Sequence, residues 1–208
     1  MAVDVTTTLN PADKGADITL SGGNLTASGT AVTNSELCRA TGSASVKFYF
    51  EVNCTTFASG GNSGIGLCTA SAIGSTLGSG PVQGALVYSG GALFATSTNS
   101  GKQIAALQGH TVQIAVDGAA KTFWARNVGT GTWNSASTGT DDPGTGSGGV
   151  SFATLTAPFF PVVCFKAASL CTVTANFGAT PFAGIIPAGY TPAGYVAGGL
   201  TVRAIVLA

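Results

Sequence analysis

Between Val46 and Cys54 the side chains alternate, with Phe48, Phe50, Val52 and Cys54 on one face and Tyr49, Glu51 and Asn53 on the other. A period of two residues fits the pleat of a β-strand and does not fit a helix. The same period returns in Thr111–Val116, where Val112, Ile114 and Val116 share a face. It recurs in Gly64–Ala70, where Ile65 and Leu67 share a side. Clusters of Gly, Ser, Asn and Asp separate such runs and read as turns. Hairpins are expected for Ile18–Leu20 with Leu25–Ala27, for Ala85–Tyr88 with Ala92–Thr96, and for Thr111–Val116 with Lys121–Arg126. A last hairpin is expected for Phe160–Phe165 with Leu170–Phe177, around Lys166–Ser169. No segment carries a helical period, so the crossover helices of a parallel α/β sheet have no counterpart. Strands that bury one side each must pack face to face. The pattern therefore predicts an all-β, two-sheet antiparallel β-sandwich.

The 208 residues suit one domain of this kind. Only 8% are charged, against about 25% in ordinary soluble domains, and eight basic residues balance eight acidic ones. A neutral, charge-poor chain has no electrostatic footprint for nucleic acid or anionic lipid. It also repels its own copies weakly, so association is expected. No apolar run approaches the roughly 18 residues needed to span a bilayer. The start, MAVDVTTTLNP, has neither a basic nor an apolar leader region, so no export by a classical signal is expected.

The five cysteines, Cys38, Cys54, Cys68, Cys164 and Cys171, form no CxxC, and His110 is the single histidine. A zinc site of the usual kind is not expected, and no cofactor is. If the last hairpin closes through its four-residue loop, Cys164 lies opposite Cys171 and the two could bridge under oxidising conditions. The other reading leaves buried free thiols that pack as small hydrophobes.

Several segments together resemble the SPRY family, a concanavalin-like jelly-roll sandwich. Lys47-Phe48-Tyr49-Phe50-Glu51-Val52 is similar to its (K)WYFEV strand, and Gly64–Ala70 (GIGLCTA) to its IGVGLAT strand. Gly109–Asn127 resembles the family's GD-initiated hairpin, and Phe160–Gly178 the strand pair that ends in VTANFG. The opening Leu9–Ala27 and the closing Pro181–Tyr190 resemble the version found in bacteriophage and prophage structural proteins. Two departures stand out: His110 replaces the usual aspartate, and Phe48 the usual tryptophan. The resemblance covers Leu9 to Gly194 and implies residues 9–194 as the sandwich, 1–8 as an N-terminal arm and 195–208 as a C-terminal tail. It implies an interaction module and leaves the ligand open.

Catalytic chemistry finds little support. Glu36 and Glu51 are the only glutamates, and the E-x-D-x-x-E strand of sandwich-fold glycan hydrolases is missing. No GxSxG accompanies His110, which reads as an ordinary strand-end residue. Gly129–Gly149 reads as a long surface loop. Within it, Asp141 and Asp142 are either calcium ligands or turn formers. Trp133 is either an exposed anchor for a partner or sugar, or a lid folded over the sandwich edge. Trp124 is expected in the core or between the sheets. Pro181–Gly194 reads as an irregular closing segment. In the tail, Leu200, Val202, Ile205 and Leu207 mark a strand that either closes its own sheet or adds to a neighbouring subunit.

These readings converge on a non-enzymatic virion structural protein of a bacteriophage, assembled in the bacterial cytoplasm. It would serve as head decoration or head fibre, or as a tail or baseplate component. Its expected partners are other virion proteins and copies of itself. The alternatives are a host-surface or glycan-binding adhesin on a tail tip and an intracellular peptide-binding adaptor.

Overall fold

In the computed structural model, which describes residues 7–29, 36–57, 63–72, 83–130, 132–134, 139–166 and 170–194, the alternating segment forms an 11-residue strand, Lys47–Phe57. It is the fifth of fifteen strands among the described residues. Before it come β1 (Leu9–Lys14), β2 (Ile18–Ser21), β3 (Thr26–Gly29) and β4 (Glu36–Ala40). After β5 follow β6 (Gly64–Thr69), β7 (Gly84–Tyr88), β8 (Ala92–Ala95), β9 (Thr98–Gln103), β10 (Thr111–Asp117) and β11 (Thr122–Asn127). The last four are β12 (Val150–Ser151), β13 (Phe159–Phe165), β14 (Cys171–Asn176) and β15 (Thr191–Pro192).

The strands form two sheets. Sheet A has the order β1-β4-β13-β6-β7-β8-β9, and sheet B the order β12-β11-β10-β5-β14-β3-β2. All these pairs are antiparallel; β15 alone joins β5 in parallel, with Thr191 opposite Phe48. The expected two-sheet sandwich is what the chain adopts.

Period-two alternation decides which side chains meet between the layers. Phe48, Phe50, Val52 and Cys54 of β5 point inward beside Val112, Ile114 and Val116 of β10. Ile65, Leu67 and Val87 of sheet A belong to the same core. Each large side chain buried there contributes about 1.5–3 kcal/mol. Three expected hairpins are present as β2–β3, β7–β8 and β10–β11.

The fourth is not formed. β13 pairs with β4 and β6 in sheet A, whereas β14 pairs with β5 and β3 in sheet B. The chain changes layer between them. Cys164 therefore faces Leu37 and Gly64, and Cys171 faces Phe57 and Gly29. The expected Cys164–Cys171 bridge has no shared ladder to form on, and all five cysteines are buried. Burial pushes the thiols of Cys38, Cys54 and Cys164 up to about 12.

The β9 edge of sheet A is capped by its own side chains. The Gly101 N–H donates to Asn99 Oδ1 at 2.9 Å and the Lys102 N–H to Ser100 Oγ at 3.2 Å, with Gly101 at φ 76°. Such local bonds use up donors that an exposed edge would offer to another strand.

Candidate functional site

The outer face of sheet B carries two rows of side chains, set by the register of β5, β10 and β11. One row places Tyr49, Ala115 and Trp124 side by side; the next places Glu51, Gln113 and Arg126. On an exposed sheet the second row would be solvated. Here Glu51 is only 2% exposed, because residues 181–190 cross over it as a strap.

A buried carboxylate needs donors, and Glu51 has three. The N–H of Ala183 donates to Oε2 at 2.8 Å and the N–H of Gly184 to Oε1 at 2.8 Å. The Tyr49 hydroxyl donates to Oε1 at 2.6 Å. Gln113 Nε2 donates in turn to the Tyr49 hydroxyl at 2.5 Å, and Arg126 Nε donates to Gln113 Oε1 at 2.5 Å. Burial, then the neighbouring Glu51, push the Tyr49 phenol well above its ordinary range, which keeps it a donor. Burial pulls the Arg126 guanidinium below its ordinary value.

Contacts along its length fix the strap. Asn176 Nδ2 donates to the carbonyls of Thr180 and Pro181, both at 3.2 Å. Phe182 stands edge-on to Tyr49, with ring centroids 4.8 Å apart at 84°. Glycine at position 184 lets the strap lie close on Gln113, since a Cβ there would collide with the Gln113 amide. The Tyr190 N–H closes a turn on the Pro187 carbonyl, and Ala193 donates to the Tyr49 carbonyl at 2.8 Å. Prolines 181, 187 and 192 restrict φ along the segment. At its apex Ile185 is 83% exposed. Beside it lies a groove of about 440 Å³ lined by Ala179, Thr180, Pro181, Phe182, Ile186 and Pro192. The arrangement is a rigid apolar knob next to an apolar groove, which suits docking.

Trp133 is 6% exposed and is not an exposed anchor. It joins Tyr49, Trp124 and Tyr190 in one cluster, with the Arg126 guanidinium 4.4 Å from its ring centre. Trp124 is fully buried, yet on this outer face and not between the sheets; its Nε1 donates to the Ser147 carbonyl at 2.7 Å. The described part of this long surface loop thus also covers the face, as the lid reading of Trp133 expected. Asn134 within it is buried, its Oδ1 accepting from the Ala125 N–H at 2.8 Å. Asp141 pairs with Lys102 at 2.5 Å, and exposed Asp142 accepts from the Gly144 N–H at 2.8 Å. Each acts on a different neighbour, and the described residues hold no group of three or more candidate metal-ligating side chains. His110 is an exposed residue leading into β10. Leu200, Val202, Ile205 and Leu207 lie outside the described residues.

The strap was missed as a site. Its signal was present: Ile185-Ile186 is an apolar pair set among Pro, Gly and Ala, where a turn needs no such residues. A second concavity of about 310 Å³ opens where β8 and β9 meet β12. Thr96, Thr98, Ser100, Lys102 and Ser151 line it.

The fold is similar to that of the SPRY domain of human HERC1, at 15% identity and a TM-score of 0.57, covering 80% of this chain and 96% of that one. A human SPRY domain matches at 15% identity and a TM-score of 0.52, covering 79% of this chain and 98% of that one. Stonustoxin matches at 16% identity and a TM-score of 0.55, covering 82% of this chain but 27% of its own length. No family model matches the sequence, and no curated protein does. At these identities the likeness is one of fold, and that fold is the SPRY-type sandwich.

Proposed function

We propose that this chain is a non-enzymatic structural protein of a bacteriophage particle, docking to other virion proteins or to copies of itself through the strap on sheet B. It sits on the particle surface as head decoration or head fibre, or as a tail or baseplate component. The observation that carries the reading is Ile185, a large apolar side chain held out at the apex of a segment anchored on buried Glu51. A preorganised apolar knob loses little freedom on binding, and such residues become hot spots. The phage-like character of the opening and closing segments supports the virion setting.

The non-enzymatic part rests on where the carboxylates are engaged. Glu51 serves two strap amides and the Tyr49 hydroxyl, while Glu36 Oε2 accepts from the Asp17 N–H at 2.8 Å. Both glutamates hold main chain in place.

A second reading, a glycan-binding adhesin, is favoured by the hydroxyl-lined cleft between β9 and β12. One experiment separates the two. Purified particles of the encoding phage, stripped of this protein, are titrated with it at high salt. Saturation at a fixed copy number, lost with Ile185→Asp, supports the virion reading. No attachment to particles, with binding of the free protein to host cells, overturns it in favour of the adhesin.

A further inference from the structure

We propose that the strap is a two-fold self-docking surface, in which Ile185 of one copy seats in the groove of a second copy and receives that copy's Ile185 in return. The inference rests on the strap being a docking surface and names its partner as another copy of this chain.

Three observations carry it. First, knob and groove belong to the same short stretch of chain. Ile185 projects from it, and Ala179, Thr180, Pro181, Phe182, Ile186 and Pro192 line the groove beside it. A patch that holds both halves of a contact is self-complementary, as a closed two-fold dimer requires. A knob whose groove lay elsewhere would instead build rings or open chains.

Second, no charged residue occurs from Gly178 to Gly194. The charges beneath are engaged within the molecule. Glu51 is held by the strap amides, Arg126 by Gln113 and Trp133, and Lys47 lies 3.6 Å from Asp117. The whole chain is neutral. Two such faces meet without like-charge repulsion, and the uncharged surface offers a charged partner nothing to pair with.

Third, the residues around the knob are small. Ala183, Gly184, Ala188 and Gly189 flank the two isoleucines, so two backbones can approach closely. The strap is already fixed by its hydrogen bonds to Glu51 and Asn176, so docking orders little new chain.

The test is sedimentation of the full chain over a concentration series, with Ile185→Asp, Thr180→Arg and a one-to-one mixture of the two. Both positions are exposed, and Asn176 holds only the main-chain carbonyl of Thr180, so circular dichroism and melting should match the parent. The parent should dimerise, and each variant alone should be a monomer. The mixture should dimerise again, because one knob–groove contact is intact and the other now pairs an acid with a base. A parent that stays monomeric, a dimer indifferent to both variants, or a mixture that stays monomeric overturns self-docking. A monomeric parent whose Ile185→Asp variant still loses particle attachment would leave the docking reading standing and remove only the second copy as partner.

Discussion

Glu51 and Gly184 lie 133 residues apart in sequence and meet through a single 2.8 Å hydrogen bond, main-chain N–H to buried carboxylate. That bond, with its neighbour from Ala183, converts a charged residue on a sheet face into an anchor for the surface above. Glu51→Gln leaves an amide NH2 facing one of the donors. The loss of a charge-assisted bond should cost about 2 kcal/mol. Chemical denaturation reads the total, and amide exchange at Ala183 and Gly184 should accelerate more than exchange in the β10–β11 hairpin.

Gly184→Ala places a methyl group against the Gln113 amide. The strap must lift or Gln113 must turn, at about 1–3 kcal/mol. The expected sign is an unfolding midpoint below the parent's. Unchanged stability would mean that the strap does not press on β10.

Trp133→Ala tests whether this residue packs or binds. A 6% exposed tryptophan wedged between Arg126 and the Tyr49–Trp124 row leaves a cavity when truncated. The expected loss is about 3 kcal/mol of folding stability. Ile185→Asp should behave oppositely, shifting stability by no more than about 0.5 kcal/mol while abolishing association. Thermal melts of both variants make the comparison.

Stability should fall in alkali. Unfolded thiols ionise near 9, whereas burial holds those of Cys38, Cys54 and Cys164 at about 12, and likewise raises the Tyr88 phenol from 10 to about 12. Raised folded values mean that the native state keeps protons the unfolded chain gives up. The contribution is therefore complete below about pH 9 and is lost progressively as pH rises toward 12. Denaturation midpoints at pH 8, 10 and 11, with the chain reduced throughout, should decrease in that order.

Local alternation made the inter-sheet face of β5 legible: Phe48, Phe50, Val52 and Cys54 all lie in the core as their spacing implied. The same rule assigned Tyr49 and Glu51 to the opposite face, correctly, but their burial depends on a segment far along the chain that no local pattern reveals. β13 and β14 looked like a hairpin because two apolar strands flank a short gap, Lys166–Ser169. Such a gap is also long enough to change sheets, and only the pairing of β13 with β6 and of β14 with β5 distinguishes the cases. Trp133 stood in a polar loop, where composition left an exposed anchor and a folded-over lid equally open. The Arg126 guanidinium and the Tyr49–Trp124 row that receive it lie on other strands, and their faces were unassigned until β5, β10 and β11 were aligned.

The parallel pairing of β15 with β5 also sets a timetable. Thr191 bonds to the Lys47 carbonyl across 144 residues of sequence, so the central strand of sheet B waits for the late chain before its outer side is covered. At the usual pace of translation that interval is on the order of 10 s. During it the outer side of β5, Tyr49 and Glu51 included, has no strap over it. Contacts of such long range also slow folding in isolation. A chain stopped before Pro181 would keep most of its inter-sheet core and still display an unfinished face, which makes the strap the last checkpoint between a nascent sandwich and a finished one.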